Sequence, residues 1–200
     1  MKRMMFTRKT SRSFLALCTS LALCSCGGGG ALSDGKPLPR LTFAHLAPLK
    51  VNVGRVDIVD ASAGDPLPVG FVADPARVAQ RYFGSRFEAA GTHGTLFVRL
   101  EEASVAHEFV PSVEKIARAF KVGGADRYTV RVRMLLEHRD ERDRLLYSQA
   151  VTGMRVMNIS EYASPAEREA HQMQGLETLF REIDNKIPDM VLHGMGIGLL

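Results

Sequence analysis

Two hundred residues, 46% hydrophobic and 24% charged, fit one ordinary globular domain with appendages and exclude a disordered chain. The formal charge of +4 sits at one end: residues 1–25 carry five of the 26 basic residues and none of the 22 acidic ones, leaving 21 basic against 22 acidic beyond them. A basic body that tracks a phosphate backbone is thereby excluded, and no nucleic-acid partner is expected.

Residues 1–12 are basic, residues 13–23 (SFLALCTSLAL) are apolar, and small residues follow. This is the layout of a secretory signal over residues 1–25, with an apolar run well short of the ~20 residues a membrane-spanning helix needs. The zone behind it resembles a bacterial lipobox. Ser25 precedes Cys26 and Leu23 stands three positions before it, whereas Cys24 follows the large Leu23 and Cys18 lies inside the apolar run. Cys24 itself occupies a place where that motif usually has Ala, Ser, Thr or Val. The resemblance implies that Cys26 becomes the first mature residue, with a diacylglycerol on its sulfur and an acyl chain on its amine. Two or more chains anchor stably, each buried methylene contributing about 0.8 kcal/mol. Gly27 rather than Asp after the lipidated Cys implies transfer to the outer membrane rather than retention at the inner one. Gly27 to Gly30 then serve as a flexible tether; no GK[ST] follows that would make them a phosphate cradle. Cleavage leaves Cys26 as the sole cysteine, which removes any internal disulfide, thiol nucleophile or cysteine-based metal site.

Residues 26–48 continue as a Gly- and Pro-rich tether and extended lead-in, with Pro37, Pro39 and Pro48. A single domain over residues 49–192 follows. Leu49 to Val59 (LKVNVGRVDIV) alternates Val with polar positions and predicts a strand. Asp74-Pro75 opens a helix, because Asp caps free N–H groups and Pro suits the first turn. Val78, Ala79, Tyr82, Phe83 and Phe87 form its apolar side, Gly84 weakens it and Gly91 ends it. Thr95 to Phe109 is a second strand, with Leu96, Val98 and Leu100 on one face. Val113, Ile116, Ala117 and Phe120 suggest a short helix or irregular crossing, broken at Gly123-Gly124. Tyr128, Val130, Val132, Met134 and Leu136 alternate with Thr129, Arg131 and Arg133, the polar run HRDERDR turns the chain, and LLYSQAVTGMRVMNI returns, predicting a long antiparallel hairpin. Ser164-Pro165-Ala166-Glu167 has the form of a capping box. The helix it opens carries Ala170, Met173, Leu176, Leu179, Phe180, Ile183 and Ile187 as its stripe, and Pro188 kinks or stops it. Residues 193–200 read as a glycine-spaced tail.

The order is β-α-β-β-β-α. A sheet and two amphipathic helices each bury one face most economically as an α+β domain, with both helices on one face of a four-stranded, mostly antiparallel sheet. That layout, from Met1 to about Val191, resembles small Gram-negative lipoproteins, most tellingly in VNVGRVDIVD, GTLFVRLEEASV, YTVRVRMLLEHRD and SPAERE. In topology and leader, though not in residue motifs, it is similar to the lipopolysaccharide-assembly lipoprotein that plugs an outer-membrane barrel and to auxiliary lipoproteins of lipid-transporting ABC systems. Cys26 is the only functional residue the resemblance carries over.

Candidate chemistry is sparse. His45, His93, His107, His138, His171 and His193 make no HxH, HxxxH or HExxH spacing, so no metal site and no cofactor are expected. HRDERDR reads as a solvated hairpin tip rather than an acid–base cluster. Ser62 and Ser148 lack a G-x-S-x-G elbow. Arg131 and Arg133 share the face of their strand opposite the core, with Arg99 near them from the neighbouring strand. If the helices cover the other face, these three form a basic strip open to anionic lipid head groups or an acidic protein surface. The sequence therefore points to a periplasmic, membrane-anchored accessory or adaptor module that binds an envelope protein or lipid-transport component. The alternatives are an envelope hydrolase or lipid-modifying enzyme, which would need a histidine and a carboxylate converging beside a serine in a deep pocket, and a purely structural role in envelope integrity.

Overall fold

The computed structural model describes residues 41, 43, 45–64, 66–112 and 123–198. The leader, Cys26, the glycine tether and the crossing expected at Val113 to Phe120 lie outside these.

The domain is α+β, with two helices packed on a four-stranded mixed sheet. Its strands are β1 (Leu49–Val51), β2 (Arg55–Asp60), β3 (Phe87–Ala89), β4 (Thr95–Pro111), β5 (Gly124–Arg139) and β6 (Leu145–Ser160); its helices are α1 (Pro75–Arg86) and α2 (Pro165–Asp184). The large sheet runs β2-β4-β5-β6, with β2 parallel to β4 and the other pairs antiparallel. The parallel pair needs a crossover, which α1 supplies.

Two expectations change. The first strand is broken: Val53 N–H bonds back to the Val51 carbonyl at 2.8 Å, and the bend at residues 52–54 passes the chain from one sheet to another while Val51 and Val53 both stay buried. The first helix ends at Arg86 rather than Gly91. Phe87 turns extended and starts β3, which lies parallel to β1 as a separate two-stranded sheet. Parallel pairing with β1, more than thirty residues upstream, overrides the helical pattern.

Elsewhere the local chemistry acts as expected. The Asp74 carboxylate accepts from Ala76 N–H at 2.9 Å with Pro75 in the first turn. The box at α2 is reciprocal: Ser164 Oγ accepts from Glu167 N–H at 3.3 Å, and Glu167 Oε2 accepts from Ser164 N–H at 2.8 Å. α2 ends at Asp184, followed by a helical turn (Ile187–Asp189) and a π-helical turn (Met190–Gly194).

The core lies between the helices and one face of the sheet: Leu96, Val98 and Leu100 of β4, Val130, Val132, Met134 and Leu136 of β5, and Val151, Met157 and Ile159 of β6. A bulge between Leu100 and Glu102 shifts the alternation of β4, so that Ala103 and Val105 continue the core face. α2 sits close on β6 at Gly153, where a Cβ would stand 2.7–2.8 Å from Leu179 and Ile183 side-chain carbons. In the α2 stripe, Gln172 is fully buried while Ala170 is exposed and Met173 half-buried. Gln172 is a clamp: its Oε1 accepts from Val72 N–H at 2.9 Å and its Nε2 donates to Gly70 O at 2.8 Å, holding the loop before α1.

Phe43 is buried edge-on between Tyr82 and Phe180, at centroid distances of 5.1 and 5.5 Å, so the lead-in is already part of the helical layer there. Beneath it, Arg86 and Asp184 are both buried and joined at 2.5 Å; Tyr82 donates to the same carboxylate and Arg86 to Ala47 O. This knot ties α1, α2 and the lead-in together. Burial, then the hydrogen bond to Asp184, raises the Tyr82 pKa. At the other end of the chain, Met195 and Ile197 are buried and Gly198 O accepts from Asn52 N–H at 3.1 Å, so residues 193–198 pack into the domain.

Candidate functional site

The face of the large sheet opposite the helices is the first candidate. Strand registers place Arg99 opposite Leu135, Ser104 opposite Arg131 and Glu102 opposite Arg133, so Arg99, Arg131 and Arg133 all project from this one face. They are not equivalent. Arg133 Nε donates to Glu101 Oε2 at 2.8 Å, and Arg99 lies 3.8 Å from Glu137. Glu137 is held more tightly by Arg139, at 2.7 Å, and that guanidinium also stands 5.0 Å over the Phe97 ring. Further along, Arg127 pairs with Glu108 at 3.0 Å. Arg131 is exposed and takes part in no ion pair among the described residues. The expected basic strip is thus a row of ion pairs around one free guanidinium. Beside it β6 sets Met154 directly across from Arg131 and Val156 across from Thr129; both apolar side chains are exposed, by 53% and 44%. A free cation flanked by bare apolar side chains can meet an anionic group and its hydrocarbon surroundings together.

The second candidate is a cleft of about 580 Å³ at the hairpin end of the sheet, which sequence spacing did not reveal. The antiparallel register sets His138 opposite Leu96 and so brings it beside the loop that carries His93. Gly94 makes that approach possible: its φ is +73°, and a Cβ there would lie 2.8 Å from Arg139 O and 3.2 Å from His138 Nε2. His93 Nδ1 meets Glu141 Oε1, tying this loop to the β5–β6 turn. The turn is organised around Asp140, whose carboxylate accepts from the N–H groups of Arg142 and Arg144, both at 2.9 Å, and from Arg144 Nε at 2.7 Å. These bonds, first the one from the Arg144 backbone, hold the Asp140 pKa below the usual carboxylate range. Burial lowers the pKa of His138 and favours its neutral form, against an opposing pull from Asp140. The cleft brings a histidine and a carboxylate together, but its lining contains no serine, threonine or cysteine.

A third cluster closes the far end of the sheet. Asp126 accepts from His107 at 2.9 Å and from Arg168 at 2.5 Å, and His107 stacks on Tyr128 at 4.8 Å. The His107 bond, then the Arg168 bond, lowers the Asp126 pKa. The cluster pins the start of α2 to β4 and β5. Among the described residues no group of three or more His, Cys, Asp or Glu side chains is arranged to hold a metal ion.

No family model and no curated protein matches the chain. Among solved structures it is similar to a neuraminyllactose-binding hemagglutinin homolog from Helicobacter pylori, at 6% identity and TM-score 0.41, over 74% of this chain and 93% of that one. It is also similar to rare lipoprotein B from Shewanella oneidensis, at 10% identity and TM-score 0.36 over 71% and 93% of the two chains. A third likeness is to a minor lipoprotein from Acinetobacter baumannii, at 9% identity and TM-score 0.35 over 69% and 91%. At such scores none of them assigns a family, a ligand or an activity to this chain.

Proposed function

We propose that this protein is a lipid-anchored, non-enzymatic accessory module of a Gram-negative envelope, held at Cys26 on the periplasmic side of the outer membrane. It binds an envelope protein or lipid-transport component through its open sheet face. The observation that carries the binding role is exposed Arg131, without an ionic partner among the described residues, opposite exposed Met154 and near exposed Val156 on the sheet face away from α1 and α2. The anchor rests on the leader and on Ser25-Cys26-Gly27. No helix among the described residues is long and apolar enough to cross a membrane.

Anchor and face work together through effective concentration. A weak contact suffices once an anchor at Cys26 confines the search to the neighbourhood of the bilayer.

Palmitate labelling of cells, with and without globomycin, tests the anchor. Cys26→Ser is expected to abolish label and processing; unchanged labelling and processing would refute it. A photo-crosslinker placed at Arg131 in the native envelope tests the face. One consistent envelope component is expected in the adducts, and Arg131→Glu should diminish its capture; a scatter of unrelated adducts would refute the adaptor role.

A further inference from the structure

The cleft at the hairpin end of the large sheet lies apart from the open face: Arg131 stands seven residues before His138 on β5, about 23 Å away. The cleft volume of about 580 Å³ falls within the roughly 300–1,000 Å³ usual for small-molecule sites. Four separate segments build it: Asn52, the loop that carries His93 and Gly94, the β5–β6 turn from His138 to Leu146, and Gly196-Ile197 of the tail. Backbone bonds lock these walls together. Gly54 N–H is shared between the carbonyls of His93 and Gly94, both at 3.1 Å. Gly91 N–H donates to Val53 O at 3.0 Å, and Asn52 N–H donates to Gly198 O at 3.1 Å. Walls fixed in this way need little ordering when a ligand arrives.

The polar lining is lopsided once its internal bonds are assigned. Both carboxylates are already engaged. Asp140 accepts from the N–H groups of Arg142 and Arg144 and from the Arg144 guanidinium, and Glu141 meets His93. What remains are donors. The Arg142 side chain is exposed in the lining and enters no ion pair among the described residues. The ring of His138 and the amide of Asn52 line the same space and form no side-chain hydrogen bond among those residues. Leu146, which is exposed, adds an apolar wall. A ligand that satisfies this set brings acceptor oxygens and a negative charge, and the planar guanidinium fork matches an oxyanion better than a point charge does.

We propose that the cleft binds a small soluble oxyanion, a phosphate or carboxylate borne on a compact organic group, with Arg142 as its charge partner, His138 and Asn52 as further donors, and Leu146 against the organic part. The site depends on neither the anchor nor the open face. The test uses the full chain in non-ionic detergent micelles, with isotope-labelled histidine rings followed by NMR. Sodium phosphate or sodium acetate is added at constant pH, against sodium chloride of equal ionic strength. At least one of the two oxyanions is expected to move the His138 ring signals saturably, while those of His107 and His171, outside the cleft, stay still. Arg142→Gln should weaken that binding about tenfold, as the loss of one charge-assisted hydrogen bond would. Arg81→Gln, which removes an exposed arginine of α1, should leave it unchanged. Shifts that never saturate, equal shifts from chloride, equal movement of His107 or His171, or equal affinity in Arg142→Gln would overturn the proposal. So would shifts that appear only when phosphatidic acid is added to the micelles, because the oxyanion would then belong to a lipid headgroup and not to a free solute.

Discussion

Asp184 is the residue on which most of the interior polar chemistry converges. Its carboxylate serves Arg86 and Tyr82 at once, and its sequence partner is 98 positions away. Removing one side of a buried pair strands the other charge without water, which costs about 3–5 kcal/mol. Asp184→Ala is therefore expected to lower the urea-unfolding free energy by that amount. Arg133→Ala, which breaks an exposed pair with Glu101, should cost under about 1 kcal/mol. Equal effects from the two would refute the structural role given to the knot. Neither partner was legible beforehand: no local pattern marks Arg86 or Asp184 as buried, because the two meet only where α1 and α2 pack together. Gln172 escaped for the same reason, since a polar side chain in a helix looks solvent-facing until a loop arrives to use it. Arg131, by contrast, was placed on its face by strand alternation alone, a relation that needs only its immediate neighbours.

At the scale of elements, the contact between α2 and β6 depends on the absence of a side chain at Gly153. Valine there would drive Cβ and its methyls into Leu179 and Ile183, and overpacking of this kind costs about 1–3 kcal/mol. Gly84 in α1 is the opposite case: nothing lies within 4 Å of a Cβ built on it. Gly84→Ala is expected to stabilise by roughly 1 kcal/mol through helix propensity. Denaturant midpoints of the two variants should move in opposite directions; a stabilised Gly153→Val would contradict the packing described. The long hairpin and the capped α2 could be read from the chain because alternation, turn and box are all local signals. The division of the first strand and the end of α1 could not, because both are decided by pairing between β1 and β3.

For the molecule as a whole, the perturbed groups predict acid sensitivity. The His138 pKa is lowered from 6.5 by burial, so the unfolded chain takes up a proton there before the folded one does. Its neutral form is accommodated above the unfolded value, and stability is lost as pH falls below it toward the folded value. Asp126 and Asp140 have pKa values lowered from 3.8, so their contribution is present above that value and disappears as pH falls through the folded ones. Chemical-denaturation midpoints should therefore fall in two stages, below about pH 6.5 and again below about pH 4. His138→Gln is expected to flatten the first stage and leave the second; an unchanged first stage would show that another group governs it.

The sequence alone determined the signals that arise within a few residues of each other, the strand alternation and the capping box, and hence an α+β domain with helices on one face. What only the tertiary structure decided is which charges are neutralised and which polar side chains are buried. Arg99 and Arg133 became ion-paired, and Arg131 has no ionic partner among the described residues, because cross-strand register chose their neighbours. His93 and His138 came to one cleft because an antiparallel ladder closed over forty intervening residues. Local periodicity says which face a side chain occupies, but the free energy of a charge depends on what stands opposite it, and that partner is supplied by folding.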